Sequence, residues 1–172
     1  MTPSPALPIA RITLQILVVL NWVFGAAILT LLIATVVAER WTFAALGITP
    51  SSGIPAMIVG LRAIAALGVV AVPLNNIVLT RLRAIVATVS RGDPFVAANA
   101  IRLRAIAWVL LALQLLSIVI AAIGKAISSP ANPVHLDAGF STSGWLAVLL
   151  AFILAQVFAD GTAMRDDLAG TV

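Results

Sequence analysis

Four long apolar segments, separated by short polar stretches, dominate the pattern along the chain. They cover residues 12–38, 57–80, 105–123 and 145–159, and residues 39–56 and 124–143 between them are predicted loops. A bilayer has a hydrocarbon core about 30 Å thick, which a helix of about 20 apolar residues crosses. The pattern therefore predicts one membrane domain over residues 1–172, an all-α bundle of four transmembrane helices.

The composition supports a membrane environment. Of the 172 residues, 62% are hydrophobic and only 9% are charged, whereas about a quarter of the residues in a soluble domain are charged. Such an apolar surplus needs lipid to cover it. The chain has no cysteine, which excludes disulfides and thiolate chemistry.

The positive charges are concentrated between the second and third apolar segments, in residues 81–104, here called the elbow. Five of the ten basic residues lie there, opposed by Asp93 alone: Arg81, Arg83, Arg91, Arg102 and Arg104. Short basic loops stay on the cytoplasmic side of a membrane. We therefore expect both termini in the cytoplasm and a multi-pass protein of the cytoplasmic (inner) membrane. Helices 2 and 3 would extend into the cytoplasm as a hairpin.

The centre of the elbow has turn chemistry. Gly92 is expected to end the second helix, and Asp93 to cap a third helix that starts at Pro94. Phe95 can fold back on the membrane surface or on the C-terminal tail, and Asn99 can bond exposed backbone. Two interpretations stay open: a helical hairpin with a basic collar towards anionic lipid headgroups, or a docking surface for a cytoplasmic partner.

Polar residues inside the apolar segments form a second group of candidates. Arg62 lies about 10 Å into the second helix, where it either extends to the outer headgroups or pairs with Glu39 or Asp137. The amides fall at two depths, Asn21 and Gln114 at one level and Asn75, Asn76 and Gln156 at another. They are expected to form hydrogen bonds between helices, and the alternative is a polar permeation path.

Catalytic and metal chemistry has little support. His135 is the only histidine, and six acids are scattered over loops and ends, whereas a zinc site needs three or four convergent ligands. We expect no cofactor and no enzymatic activity. Direct nucleic-acid binding is also not expected, because no soluble module presents a basic face.

The elbow and the tail (residues 158–172) carry a family resemblance. The elbow motif consists of Gly92, Pro94, Phe95, Asn99, Arg102, Leu103 and Arg104, and the tail motif of Phe158, Gly161, Met164, Arg165, Asp167, Gly170, Thr171 and Val172. In both, the chain resembles a family of small bacterial membrane proteins, the domain-of-unknown-function family twenty-nine seventy-five, although Ala169 stands where an acidic residue is common. The resemblance implies a four-helix inner-membrane protein without assigned activity. It also implies a possible partner, because such genes often neighbour one for a small helix-turn-helix regulator.

The functional hypothesis is a non-enzymatic regulatory membrane protein that docks a cytoplasmic partner or anionic lipid. The residues expected to do so are Arg81, Arg83, Arg91, Gly92, Pro94, Phe95, Asn99, Arg102, Arg104, Arg165 and Asp167. The alternative is a small transporter or channel subunit that uses Asn21, Arg62, Asn75, Asn76, Gln114 and Gln156. Four helices enclose only a narrow path, so that alternative calls for an oligomer.

Overall fold

The computed structural model describes residues 6–45, 54–128, 133–134 and 136–169. Every regular element within these ranges is a helix. The elements are α1 (Ala6–Val37), α2 (Glu39–Ala45), α3 (Ile54–Val89), α4 (Ala97–Ile127) and α5 (Thr142–Ala169). The predicted all-helical class is confirmed.

Four of the helices are long and apolar enough to span a membrane. The stretches that meet this criterion of length and composition are Leu7–Val37, Ala56–Val89, Ala97–Ile127 and Thr142–Arg165. In the most apolar window of each, at most 17% of the residues are buried within the protein. Apolar helices with so little protein around them need lipid contact, and the chain is therefore a multi-pass membrane protein.

The long helices pack in chain order. Close contacts join α1 to α3, α3 to α4 and α4 to α5, and α2 rests on the end of α1. Within the described residues α1 and α5 make no close contact, so the bundle is open along one side. Small residues bring the backbones together, as where Gly25 of α1 lies against Val72 of α3 and Gly68 of α3 lies against Ile28 of α1.

Two boundaries differ from the sequence prediction. The third long helix does not start at Pro94 with Asp93 as its cap: α4 begins at Ala97, and Val96 holds the N-cap position in an extended conformation without a side-chain bond. The physical reason lies in the turn, where Asp93 binds Arg165 instead of the helix start.

The predicted loop at residues 39–56 contains the short helix α2. It is tied to the end of α1 by Thr42, whose hydroxyl donates to the carbonyl oxygens of Ala34 at 3.0 Å and Ala38 at 2.9 Å. The last helix is also longer than its apolar segment, because α5 continues through the polar residues after 159 as far as Ala169. This continuation brings the end of α5 to the elbow.

Candidate functional site

The turn between α3 and α4 is built around Gly92. Its φ of +82° lies in the left-handed region, where a side chain adds strain. The amide of Gly92 donates to the Val89 carbonyl at 3.0 Å, and the amide of Asp93 donates to the Thr88 carbonyl at 3.2 Å. This pair of bonds is a Schellman motif, which ends a helix by satisfying its last carbonyls. The predicted role of Gly92 as the helix stop agrees with this geometry.

Asn99 holds the turn closed from the first part of α4. Its side chain is fully buried, and its Nδ2 donates to Thr88 Oγ1 at 2.7 Å and to the Pro94 carbonyl at 2.8 Å. Its Oδ1 accepts a bond from Arg102 Nη1 at 2.8 Å. One amide thus links the end of α3, the turn and α4. Asn99 and Arg102 are therefore engaged inside the elbow.

The end of α5 packs against the same turn. Arg165 forms an ion pair with Asp93, and its Nη1 also donates to the Phe95 carbonyl at 3.1 Å. The rings of Phe95 and Phe158 lie with centroids 5.3 Å apart. A Cβ added at Gly161 would come within 3.0 Å of the Phe95 ring, so the absence of a side chain there makes room for this packing. We call these five residues the elbow–tail contact.

The elbow–tail contact unites the two motifs that carried the resemblance. A family model described as "Protein of unknown function (DUF2975)" matches residues 64–172, more than half of the chain. The chain belongs to this family. No curated protein and no solved structure gives a significant match. Both sides of the elbow–tail contact lie within the residues that match the DUF2975 model, whereas α1 lies outside them.

Apolar and basic side chains remain exposed around the contact in this DUF2975 protein. Phe95 is 42% exposed despite its packing, and Met164, one turn beyond Gly161, is 63% exposed. Arg91 and Arg104 are exposed on the elbow. Exposed apolar residues with basic neighbours are typical of a binding surface.

Of the other predicted docking residues, two lie on α3 rather than at the turn. Arg81 and Arg83 are exposed on α3; they are two residues apart, so they leave different faces of the helix. Pro94 contributes only its carbonyl, as the acceptor for Asn99. The Asp167 side chain and residues 170–172 lie outside the described residues.

The polar residues within the spans make separate contacts. Asn21 Nδ2 donates to the Val72 carbonyl at 3.0 Å, and Arg62 Nη2 donates to the Thr35 carbonyl, both between α1 and α3. Gln114 is buried on α4 and donates to the Gly139 carbonyl at 3.3 Å. These partners are backbone carbonyls on neighbouring segments rather than amides at matched depth.

The second level of amides, expected nearer the cytoplasm, does not converge either, because α3 and α5 make no close contact within the described residues. Gln156 is exposed on α5 and donates to Asp160 Oδ1 at 2.9 Å, while Asn75 is exposed on α3 and Asn76 is half-buried there. Within the described residues Asn21 and Asn75 line one groove between α1 and α3, which Gln114 and Gln156 do not line.

The described residues contain no group of three or more histidines or acids that could hold a metal ion. His135 lies outside them.

The sequence left two places for Phe95, the membrane surface and the C-terminal tail, and the packing of Phe95 on Gly161 agrees with the second. A glycine inside the polar end of a helix is a local signal of such a close approach. The sequence alone missed two features of the site, the ion pair of Asp93 with Arg165 and the bond from Gln114 to Gly139, because each joins segments far apart in the chain.

Proposed function

We propose that this protein is a non-enzymatic regulatory protein of the bacterial inner membrane, which docks a cytoplasmic protein through its elbow and the end of α5. The observation that carries the proposal is the elbow–tail contact. It joins two helix ends, 70 residues apart at Phe95 and Arg165, into one surface. A surface of two mutually fixed segments presents side chains in a defined geometry, which lowers the entropic cost of binding.

The charge distribution favours a cytoplasmic location for that surface. Seven basic residues belong to the elbow end of the molecule, against three at the other end. The seven are Arg11, Arg81, Arg83, Arg91, Arg102, Arg104 and Arg165; the three are Arg40, Arg62 and Lys125. The end with more lysine and arginine stays inside.

The chemistry of the surface indicates the kind of partner. Exposed Phe95 and Met164 suit an apolar patch, and the exposed guanidinium groups of Arg91 and Arg104 suit carboxylates around it. We propose a small helix-turn-helix regulator as the partner, in line with the resemblance. Such a regulator would be held at or released from the membrane, and the membrane protein itself would catalyse nothing.

Orientation is tested by cysteine labelling, which the cysteine-free chain permits without background. Ser90→Cys marks the elbow end, and Thr142→Cys marks the opposite end at the start of α5. A membrane-impermeant maleimide should label Thr142→Cys in intact cells and Ser90→Cys only after permeabilisation. The reverse pattern would place the proposed surface outside the cytoplasm and end the docking proposal.

Docking is tested by co-purification of the detergent-solubilised protein with a helix-turn-helix regulator encoded beside it. Phe95→Ala and deletion of residues 165–172 should each abolish capture, because both dismantle the contact. Phe140→Ala is the matched control, since Phe140 is an exposed aromatic residue (75%) before α5, at the opposite end. Capture that is unchanged in both elbow variants would contradict the proposal.

A further inference from the structure

A groove separates the first turns of α1 from the last turns of α3. Its volume is about 760 Å³, and its lining includes Arg11 and Gln15 of α1 and Arg83, Ala84 and Ala87 of α3. The two helices are in close contact further along, where Gly25 lies against Val72. The alanines on α3 leave the space between the helices open at this end.

The groove carries positive charge without a compensating carboxylate. Arg11 and Arg83 are exposed, and within the described residues neither forms an ion pair or a hydrogen bond. The hydroxyls of the lining are already committed as donors, Thr80 to the Asn76 carbonyl at 2.7 Å and Ser90 to the Ala87 carbonyl at 3.0 Å. The two guanidinium groups are thus the strong donors that remain, and guanidinium groups suit phosphate oxygens.

The depth of the groove matches the headgroup region of a bilayer. On α3, residues 63–80 carry no charged side chain, a length of about 27 Å at 1.5 Å per residue, close to the hydrocarbon thickness. On α1, no charged side chain occurs between Arg11 and Glu39. Arg11 and Arg83 therefore lie just past the end of the apolar stretches, while the lining adds apolar side chains such as Leu7 and Ile12.

We propose that this groove binds one anionic glycerophospholipid from the surrounding leaflet, with its phosphate between Arg11 and Arg83 and the upper part of its acyl chains against the apolar lining. The positive charge of the groove and its position at the depth of the headgroups together favour an anionic lipid as the occupant. The site is separate from the elbow–tail contact, because it is formed by α1 and α3 alone, and it does not depend on the docking proposal.

The test is native mass spectrometry of delipidated protein titrated with phosphatidylglycerol or with phosphatidylcholine of the same chains. Within the groove, Arg11 and Arg83 would each donate a charge-assisted hydrogen bond to the lipid phosphate, which a guanidinium group outside the groove would not do. The double variant Arg11→Gln and Arg83→Gln should therefore bind the first phosphatidylglycerol molecule about 30-fold more weakly. This factor corresponds to about 2 kcal/mol at 1.4 kcal/mol per tenfold. Binding of phosphatidylcholine should change much less. The matched control, Arg81→Gln with Arg91→Gln, removes the same charge from the same end outside the groove and should retain the preference. Equal loss in the control would overturn the proposal.

Two further arms test the groove itself. Ala87→Phe fills the groove without changing its charge and should also abolish the preference for phosphatidylglycerol over phosphatidylcholine. Circular dichroism verifies that the helices of this variant are intact. If a folded Ala87→Phe protein keeps the full preference, the groove is not the site. Glycerol 3-phosphate, which has no acyl chains, should not displace the lipid. Displacement would identify a site for free phosphate and overturn the assignment to a lipid.

Discussion

Replacing Asn99 with leucine should release the elbow while leaving the helices in place. Leucine has a similar size but forms none of the three side-chain hydrogen bonds of the fully buried amide. Thr88 keeps its own bond to the Ile85 carbonyl at 2.7 Å, and the half-buried Arg102 can turn to water. The Pro94 carbonyl is the group that loses its side-chain partner inside the turn.

The expected cost follows from these three bonds. A hydrogen bond contributes about 0.5–1.5 kcal/mol net, and a buried polar group left without a partner costs about 1–3 kcal/mol. We expect a loss of about 3 kcal/mol, reduced from the sum because Thr88 and Arg102 find other partners. At 1.4 kcal/mol per tenfold, this corresponds to roughly a 100-fold increase in local opening of the elbow.

Hydrogen exchange of the detergent-solubilised protein measures this opening directly. Amides from 88 to 103 should exchange about 100-fold faster in Asn99→Leu, whereas amides in the middle of α4 should change little. Asn75→Leu is the control, because Asn75 is exposed and makes no side-chain hydrogen bond within the described residues. If Asn99→Leu exchanges like the unmodified protein, the buried amide does not hold the elbow and the reasoning fails.

Two further predictions concern contacts between helices. Asp93→Arg or Arg165→Asp alone should speed hydrogen exchange at the end of α5. The double charge swap should return the exchange rate to that of the unmodified protein. The change in the free energy of unfolding stays below about 1 kcal/mol, because the side chains of Asp93 and Arg165 are 43% and 55% exposed. Gly25→Leu should lower the free energy of unfolding by about 1–3 kcal/mol through overpacking, since even a Cβ there lies 2.7 Å from Val72 Cγ1. Adding Val72→Ala should recover part of that loss in denaturant titration, and no recovery would point to a different cause.

Hydropathy was sufficient to predict the four long helices, because a helix of about 20 apolar residues satisfies its own backbone hydrogen bonds in lipid. The ends of the helices were harder to predict. At the start of α4, local propensity favours Asp93 and Pro94 as cap and first residue, but the Asp93 carboxylate binds Arg165 instead. The short helix α2 was missed because seven residues give too little periodicity for recognition.

The site shows the same division between local and distant information. Gly92 could be predicted as a helix stop because the requirement for positive φ is local. The contact of Phe95 with Gly161 depends on how α4 and α5 are rotated about their axes, which a single sequence does not encode in any short window. The buried state of Asn99 likewise requires α3 and α4 to meet at Thr88.

The separation of Asp93 from Arg165 by 72 positions has a consequence for biogenesis. At about 5–20 residues per second, a ribosome needs roughly 4–14 s to synthesise the intervening chain. During this interval the hairpin already has the turn at Gly92 and the hydrogen bonds of Asn99. Asp93 and the Phe95 ring do not yet have their partners on α5. Nascent molecules thus pass through a stage in which the α3–α4 turn is formed but the elbow–tail contact is not. The contact can form only after α5 has been synthesised.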